Sequence, residues 1–375
     1  MPAKPQIDAG FPGGNIILEG ISGDDVHIRQ DPRDTSAWWF YWYFRVREAA
    51  GRRLRFHFVG HSPMTTLGPA VSRDGGLTWR WLGRAAMDGP TFRYRFGPDE
   101  ADTRFCLAMP YVQSNLDAFL ARYVGHPSLR AGVLCTSRKG RQVEMLHAGC
   151  LDREPDFRVL LTARHHCCEM MASYAMEGIL ATVLGDSNDG RWLRGHVEFL
   201  AVPFVDKDGV EDGDQGKLRT PHDHGRDYGP APIYPETAAI ARFVPAWSAG
   251  RLRVSLDMHC PWVRGPFNEF VYFPGGPEQD NWRAVGEFAR ILEASRTGPL
   301  PYRAADNLPF GKAWNTVSSD ESSMAWAARV PGIAMAGAME IPYSCARGHA
   351  VTARSARGLG RDLARAIRLY LESLG

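Results

Sequence analysis

Phe157-Arg158-Val159-Leu160-Leu161-Thr162 runs into Ala163-Arg164-His165-His166-Cys167-Cys168-Glu169, so an apolar stretch ends in a cluster of metal-ligating side chains. The stretch is short and rich in Val and Leu, as expected of a buried strand. Later, Leu252-Arg253-Val254-Ser255-Leu256 ends in the same way, in Asp257-Met258-His259. Strand ends are where active sites gather in α/β sheets. A catalytic zinc takes three imidazole or carboxylate ligands and keeps a fourth position open for water. His166, Glu169 and His259 supply such a set. The H-x-x-E spacing alone is a weak signal, because 12 His and 42 acidic residues produce it by chance. Successive strand residues face opposite sides, so only one of His165 and His166 should reach a metal.

Working outward, 375 residues exceed the usual single domain. Hydrophobic content of 44% and charged content of 23% suit a globular protein with a large core. A formal charge of +2, with both signs mixed along the chain, gives no polyanion-binding surface, and nucleic acid is not an expected partner. No apolar run approaches a membrane span, and Met1-Pro2-Ala3-Lys4-Pro5-Gln6 lacks the apolar stretch of a signal peptide. The expected location is the cytoplasm. Seven Cys without framework spacing fit reduced thiols.

The first hundred or so residues read as β-rich. Trp38-Trp39-Phe40-Tyr41-Trp42-Tyr43-Phe44 is aromatic throughout, Leu54-Arg55-Phe56-His57-Phe58 alternates with period two, and Asp74-Gly75-Gly76 separates two further short strands. Such spacing predicts a small antiparallel sandwich. Beyond Pro110-Tyr111 the pattern changes to alternating strands and helices, the mark of an α/β sheet. The expected division is therefore residues 1–112 and 113–375. Glu169 opens a helix bearing Met171, Ala175, Ile179, Val183 and Leu184 and closed by Gly185, and a strand over 197–202 follows. Residues 206–232 read as a long polar loop of the kind that carries function. Later strands end at His259 and Glu340, and a last helix carries Leu359, Leu363, Ile367 and Leu371 in one stripe.

Arg164, His166 and Glu169 resemble the R-x-H-P-G-E segment of the M14 zinc carboxypeptidases, and Asp257 and His259 resemble that superfamily's D-x-H strand end. The β-rich beginning, with Gly13-Gly14-Asn15-Ile16 and its aromatic run, is similar to the N-terminal domain of the cytosolic carboxypeptidase branch. The resemblance implies an N-terminal antiparallel β-sandwich followed by a mixed-sheet α/β catalytic domain holding one Zn2+. It also implies a peptide or protein C-terminus as substrate, acidic residues among those removed. Glu340, at the end of Ala336-Gly337-Ala338-Met339-Glu340, matches the superfamily's catalytic base. Gly216-Lys217-Leu218-Arg219 resembles G-N-x-R, which makes Arg219 the group that polarises the scissile carbonyl. Asp223-His224-Gly225-Arg226-Asp227-Tyr228 resembles D-x-N-R-x-[WY]: Asp223 would support a ligand His and Arg226 would hold the substrate carboxylate. Arg164 is expected among the substrate-binding residues.

Three departures stand out. Cys167-Cys168 replaces Pro-Gly, Lys217 replaces the Asn of G-N-x-R, and Gly225 replaces the Asn before the clamp arginine. Half of the carboxylate-binding pair is thus missing, which loosens the tie to C-terminal exopeptidase specificity more than the tie to hydrolysis. Cys167, Cys168 and Cys260 flank the ligands as small packed residues or as thiolate ligands. His222 and His224 form an H-x-H that reads as polar loop or as a second metal site. Two other functions fit the same residues: a zinc amidohydrolase acting on a small N-acyl amino acid, and a non-catalytic peptide-binding protein.

Overall fold

The computed structural model describes residues 4–375; Met1, Pro2 and Ala3 of the N-terminal stretch read above lie outside the described residues. Strands between Gln6 and Cys106 form two five-stranded sheets. Five strands carry the argument: β1 (Asp25–Arg29), β2 (Tyr43–Arg47), β3 (Arg53–Phe58), β4 (Thr91–Arg95) and β5 (Thr103–Cys106). β2 and β5 belong to one sheet, and β1, β3 and β4 to the other. Period-two alternation turns Leu54, Phe56 and Phe58 inward. Phe56 meets Phe44 at 5.4 Å and Phe105 at 5.3 Å between ring centroids, and Phe92 meets Phe105 at 5.2 Å, so the sheets lock through offset aromatic pairs.

Two details differ from the sequence expectation. β1 pairs β3 in parallel, because the chain leaves to form β2 in the opposite sheet before it returns. The aromatic run joins a ladder only from Tyr43 onward. Upstream, Gln215 accepts from Tyr41 N at 2.8 Å and donates to Tyr41 O at 2.9 Å, while Gln30 donates to Trp39 O at 2.9 Å. Side chains satisfy backbone groups there that a neighbouring strand would otherwise take.

A third sheet has six strands: β6 (Leu129–Thr136), β7 (Gln142–Gly149), β8 (Phe157–Ala163), β9 (Val197–Val202), β10 (Leu252–His259) and β11 (Met335–Glu340), in the order β6-β7-β9-β8-β10-β11. It is mixed: β8, β9, β10 and β11 run parallel, and β6 and β7 are antiparallel additions. Six of the helices carry the argument: α1 (Met170–Leu184), α2 (Asn188–His196), α3 (Lys207–Asp212), α4 (Pro235–Ser248), α5 (Gln279–Ser295) and α6 (Ala353–Ser373). Alternate strand residues face two different layers. Val159, Leu161, Phe199 and Ala201 pack with α1 and α6, including Leu359, Leu363, Ile367 and Leu371. Leu160, Leu200 and Val202 pack with Ile240 and Val244 of α4.

The chain leaves β8 through α1 and α2 on one face to reach β9, then crosses the other face through α4 to reach β10 on the opposite side of β8. The carboxyl end of β8 is therefore a topological switch point, the crevice where α/β sheets bind ligands. α1 and α6 cross at backbone contact: a Cβ on Gly178 would lie 2.2 Å from Arg357 O, and one on Gly360 2.1 Å from Ala175 O. Only glycine permits that approach. The segment read as a long loop contains α3, which forms because Asp206 accepts from Gly209 N at 2.9 Å and Gly213 ends the helix at φ 75°.

Candidate active site

Three parallel strands end side by side. β8 gives way to Arg164, whose φ of 65° turns the chain sharply, and a tight turn with Glu169 N donating to His166 O at 3.1 Å brings both candidate ligands to one place. Glu169 is the N-cap residue of α1. His259 closes β10 beside Glu340, the last residue of β11, and Ile341 N donates to His259 O at 2.8 Å. His166 Nδ1 lies 3.0 Å from Glu169 Oε1 and 3.1 Å from His259 Nδ1, and His259 Nδ1 lies 2.8 Å from Glu169 Oε2. Two ring nitrogens and a carboxylate thus converge on one point, all three residues being buried.

Carboxylates orient both rings from behind. Asp223 Oδ1 is 3.4 Å from His166 Nε2, and Asp257 Oδ2 is 2.9 Å from His259 Nε2. At His259 the carboxylate holds the ring proton on Nε2 and leaves Nδ1 as the lone-pair atom facing the shared point. His166 Nε2 makes no hydrogen bond among the described residues, and Asp223 acts on it by its charge. The strand ends at Ala163, so strand alternation does not govern His165 and His166; the turn at Arg164 sends His165 to the far side of Asp257. Its Nδ1 contacts Asp257 Oδ1 at 2.8 Å and its Nε2 the Tyr228 hydroxyl at 2.6 Å. Burial pulls its pKa down.

Glu340 lines the same cavity as His166 and His259, and its Oε2 is buried without a hydrogen-bond partner among the described residues. Burial first, and the Glu169 carboxylate second, push Glu340 above the ordinary carboxylate range. Glu169 moves the other way: burial favours its neutral form, but Lys217, His166 and His259 hold it well below its usual value. Lys217 Nζ stands 3.3 Å from Glu169 Oε1. In the sequence Lys217 reads only as a departure from G-N-x-R, two residues before Arg219.

The remaining candidates scatter. Asp223 is behind His166, as expected of a supporting carboxylate, and Arg226 lines the cavity half-exposed, its Nη1 3.9 Å from Asp223 Oδ2. Arg219 does not reach the cavity. All three of its guanidinium nitrogens donate to carboxylates: Nε to Asp34 at 2.9 Å, Nη1 to Asp206 at 2.6 Å and Nη2 to Asp214 at 3.0 Å. Arg164 does not reach it either. It is 3% exposed, and it donates to Cys167 O, Tyr111 O and Ser173 Oγ, bracing the ligand turn in its left-handed conformation instead of meeting a substrate. Cys167, Cys168 and Cys260 are buried thiols, Cys167 donating to Asp214 O at 3.1 Å. His224 stacks on Tyr234 at 3.7 Å, and His222 pairs with Asp227 at 2.6 Å. Trp314, 53% exposed at the cavity mouth, and Val317 beside it carry no pattern that sequence reasoning could use.

No family model matches the chain. Cytosolic carboxypeptidase 3 of Mus musculus is 31% identical over 37% of this chain, and cytosolic carboxypeptidase 2 of Xenopus tropicalis 26% identical over 60% of it. The chain matches only 14% and 27% of those proteins' own lengths. A metallo-carboxypeptidase from Burkholderia cenocepacia superposes over the whole of both chains with a TM-score of 0.82 at 18% identity, so the fold is shared from end to end. In sequence the chain is similar to cytosolic carboxypeptidases, and in fold to a metallo-carboxypeptidase.

Proposed function

We propose that this chain is a zinc-dependent metallocarboxypeptidase that releases amino acids, acidic ones among them, from peptide or protein C-termini. The observation that carries the reading is the convergence of His166, Glu169 and His259 within 2.8–3.1 Å, with Glu340, whose Oε2 has no hydrogen-bond partner among the described residues, lining the same cavity. The donor set fits the metal: two imidazoles present Nδ1, each backed by a carboxylate at Nε2, and a buried glutamate completes the three. Zinc held there supplies the charge that polarises a carbonyl and acidifies a water.

The protein's own groups do the rest. Glu340 takes a proton from water as the water oxygen bonds to the scissile carbonyl carbon. It then gives that proton to the departing amine nitrogen as the C–N bond breaks. Arg226, at the cavity wall, meets the substrate carboxylate by charge-assisted hydrogen bonds. Asp223 and Asp257 keep the ligand rings in place. A division of the chain near residue 112 and a cytoplasmic location belong to the same proposal.

The test is a screen of peptides that differ only in the last residue, with and without added zinc, beside the metal content of the wild type and of His166→Ala and His259→Ala. Release of single free amino acids by the zinc-loaded wild type, together with loss of zinc from both variants, is expected. Full zinc occupancy in both variants removes the ligand assignment. Cleavage of small N-acyl amino acids in place of peptides establishes the amidohydrolase alternative, which keeps metal, base and arginine and needs no peptide groove.

A further inference from the structure

Arg219 is tied to Asp34, Asp206 and Asp214, so the cavity lacks the cation that sequence pattern assigned to the scissile carbonyl. Lys217 faces that cavity. Its Nζ lies 3.3 Å from Glu169 Oε1, its close partner among the described residues, and 5.7 Å from the centroid of the Trp39 ring. An ammonium carries three N–H donors, so one carboxylate leaves donors for a second oxygen at the centre of the site.

The lysine is held by backbone, not by chance of rotamer. Gly216, at φ 77°, lies directly on the ligand turn, and a Cβ there would be 2.4 Å from Cys167 N. Gly216 N donates to Asp34 Oδ2 at 2.8 Å, and Leu218 O accepts from Ser36 N at 3.1 Å and Ser36 Oγ at 2.7 Å. Residues of the first β-rich segment thus clamp the chain on both sides of Lys217. The third of them, Trp39, contacts its side chain. Arg226 lines the same cavity, half-exposed.

We infer that Lys217, not Arg219, is the catalytic cation that meets the scissile carbonyl oxygen, and that the N-terminal β segment completes the active site by holding it there. As water adds to the carbonyl carbon, the C=O electron pair moves onto oxygen, and an ammonium beside Glu169 donates a hydrogen bond to the growing charge. Such a contact is stronger in the transition state than with the planar amide, so it acts on kcat. The inference rests on the proposed peptidase activity, and the experiment keeps the two apart.

Wild type, Lys217→Met and Lys217→Arg are loaded with zinc and compared on a peptide that the wild type cleaves. Three quantities are read: zinc per chain, kcat against KM, and the calorimetric Kd of a phosphonate peptide analogue beside that of the cleavage product. Lys217→Met is expected to retain zinc and lose about 10²–10³-fold in kcat with KM little changed. It should lose phosphonate affinity by a similar factor while binding product normally, and Lys217→Arg should recover at least about tenfold of the lost turnover. If Lys217→Met loses its metal, Lys217→Gln, which keeps a donor toward Glu169, replaces it and the phosphonate Kd decides. Wild-type turnover in the neutral variant, or a rise in KM with kcat intact, overturns the assignment and leaves the peptidase reading standing. A wild type that releases no amino acid from any peptide overturns both.

Discussion

Asp257 Oδ2 meets His259 Nε2 at 2.9 Å, on the side of the imidazole away from the cavity. The other oxygen of the same carboxylate receives His165 Nδ1 at 2.8 Å and Thr162 Oγ1 at 2.9 Å. Asp257 is therefore fixed by the neighbouring strand before it fixes His259, and the orientation of one candidate ligand is set by packing between β8 and β10. Such carboxylates behind a ligand histidine raise its basicity and hold its tautomer.

Metal affinity should report on that support. Asp257→Asn keeps the shape but loses the charge, and it is expected to weaken zinc binding by about 10–100-fold, measured by competition with a chromogenic chelator. Unchanged affinity would mean that His259 is oriented by its strand alone.

Glu340→Gln removes the proton acceptor while keeping size and one hydrogen-bonding oxygen. Turnover should fall by about 10²–10⁴-fold with zinc retained. Near-normal turnover in this variant excludes Glu340 as the base.

Arg226→Ala separates ground-state binding from catalysis. KM for free-acid peptides should rise while kcat holds, and the preference for free acids over C-terminal amides should shrink. A wild type that cleaves amides and free acids equally well shows that Arg226 reads no carboxylate.

The convergence of His166, Glu169 and His259 and the sheet were legible in the sequence because both follow from local pattern: apolar runs mark β8 and β10, and H-x-x-E and D-x-H sit at their ends. The cation that lines the cavity beside Glu169 was not. Lys217 and Arg219 are two residues apart in one loop, and which of them enters the cavity depends on backbone turns at Gly216 (φ 77°) and Leu218 (φ 50°). Asp34 and Ser36, 182 residues away, set those turns through hydrogen bonds no local window contains. Arg164 misleads for the same reason: a motif gives its place in the chain, but the partner that captures its guanidinium, Tyr111 O among others, comes from a distant segment.

The cluster that captures Arg219 should leave a mark on stability against pH. Burial, and then the Asp34 carboxylate, push Asp214 from its ordinary 3.8 up to about 7, Arg219 opposing them. Between those two values the folded protein keeps a proton that the unfolded chain has released, so stability falls as pH rises through this window and the loss is complete above it. Asp214→Asn retains an oxygen to accept from Arg219 Nη2 and cannot ionise. Thermal unfolding should find the variant close to wild type near pH 4 and more stable near pH 8, by roughly 2 °C or more. A difference in Tm that does not change between those pH values would place the titration of Asp214 outside this window. A less stable variant at pH 8 would mean that the ionised carboxylate is needed to balance Arg219.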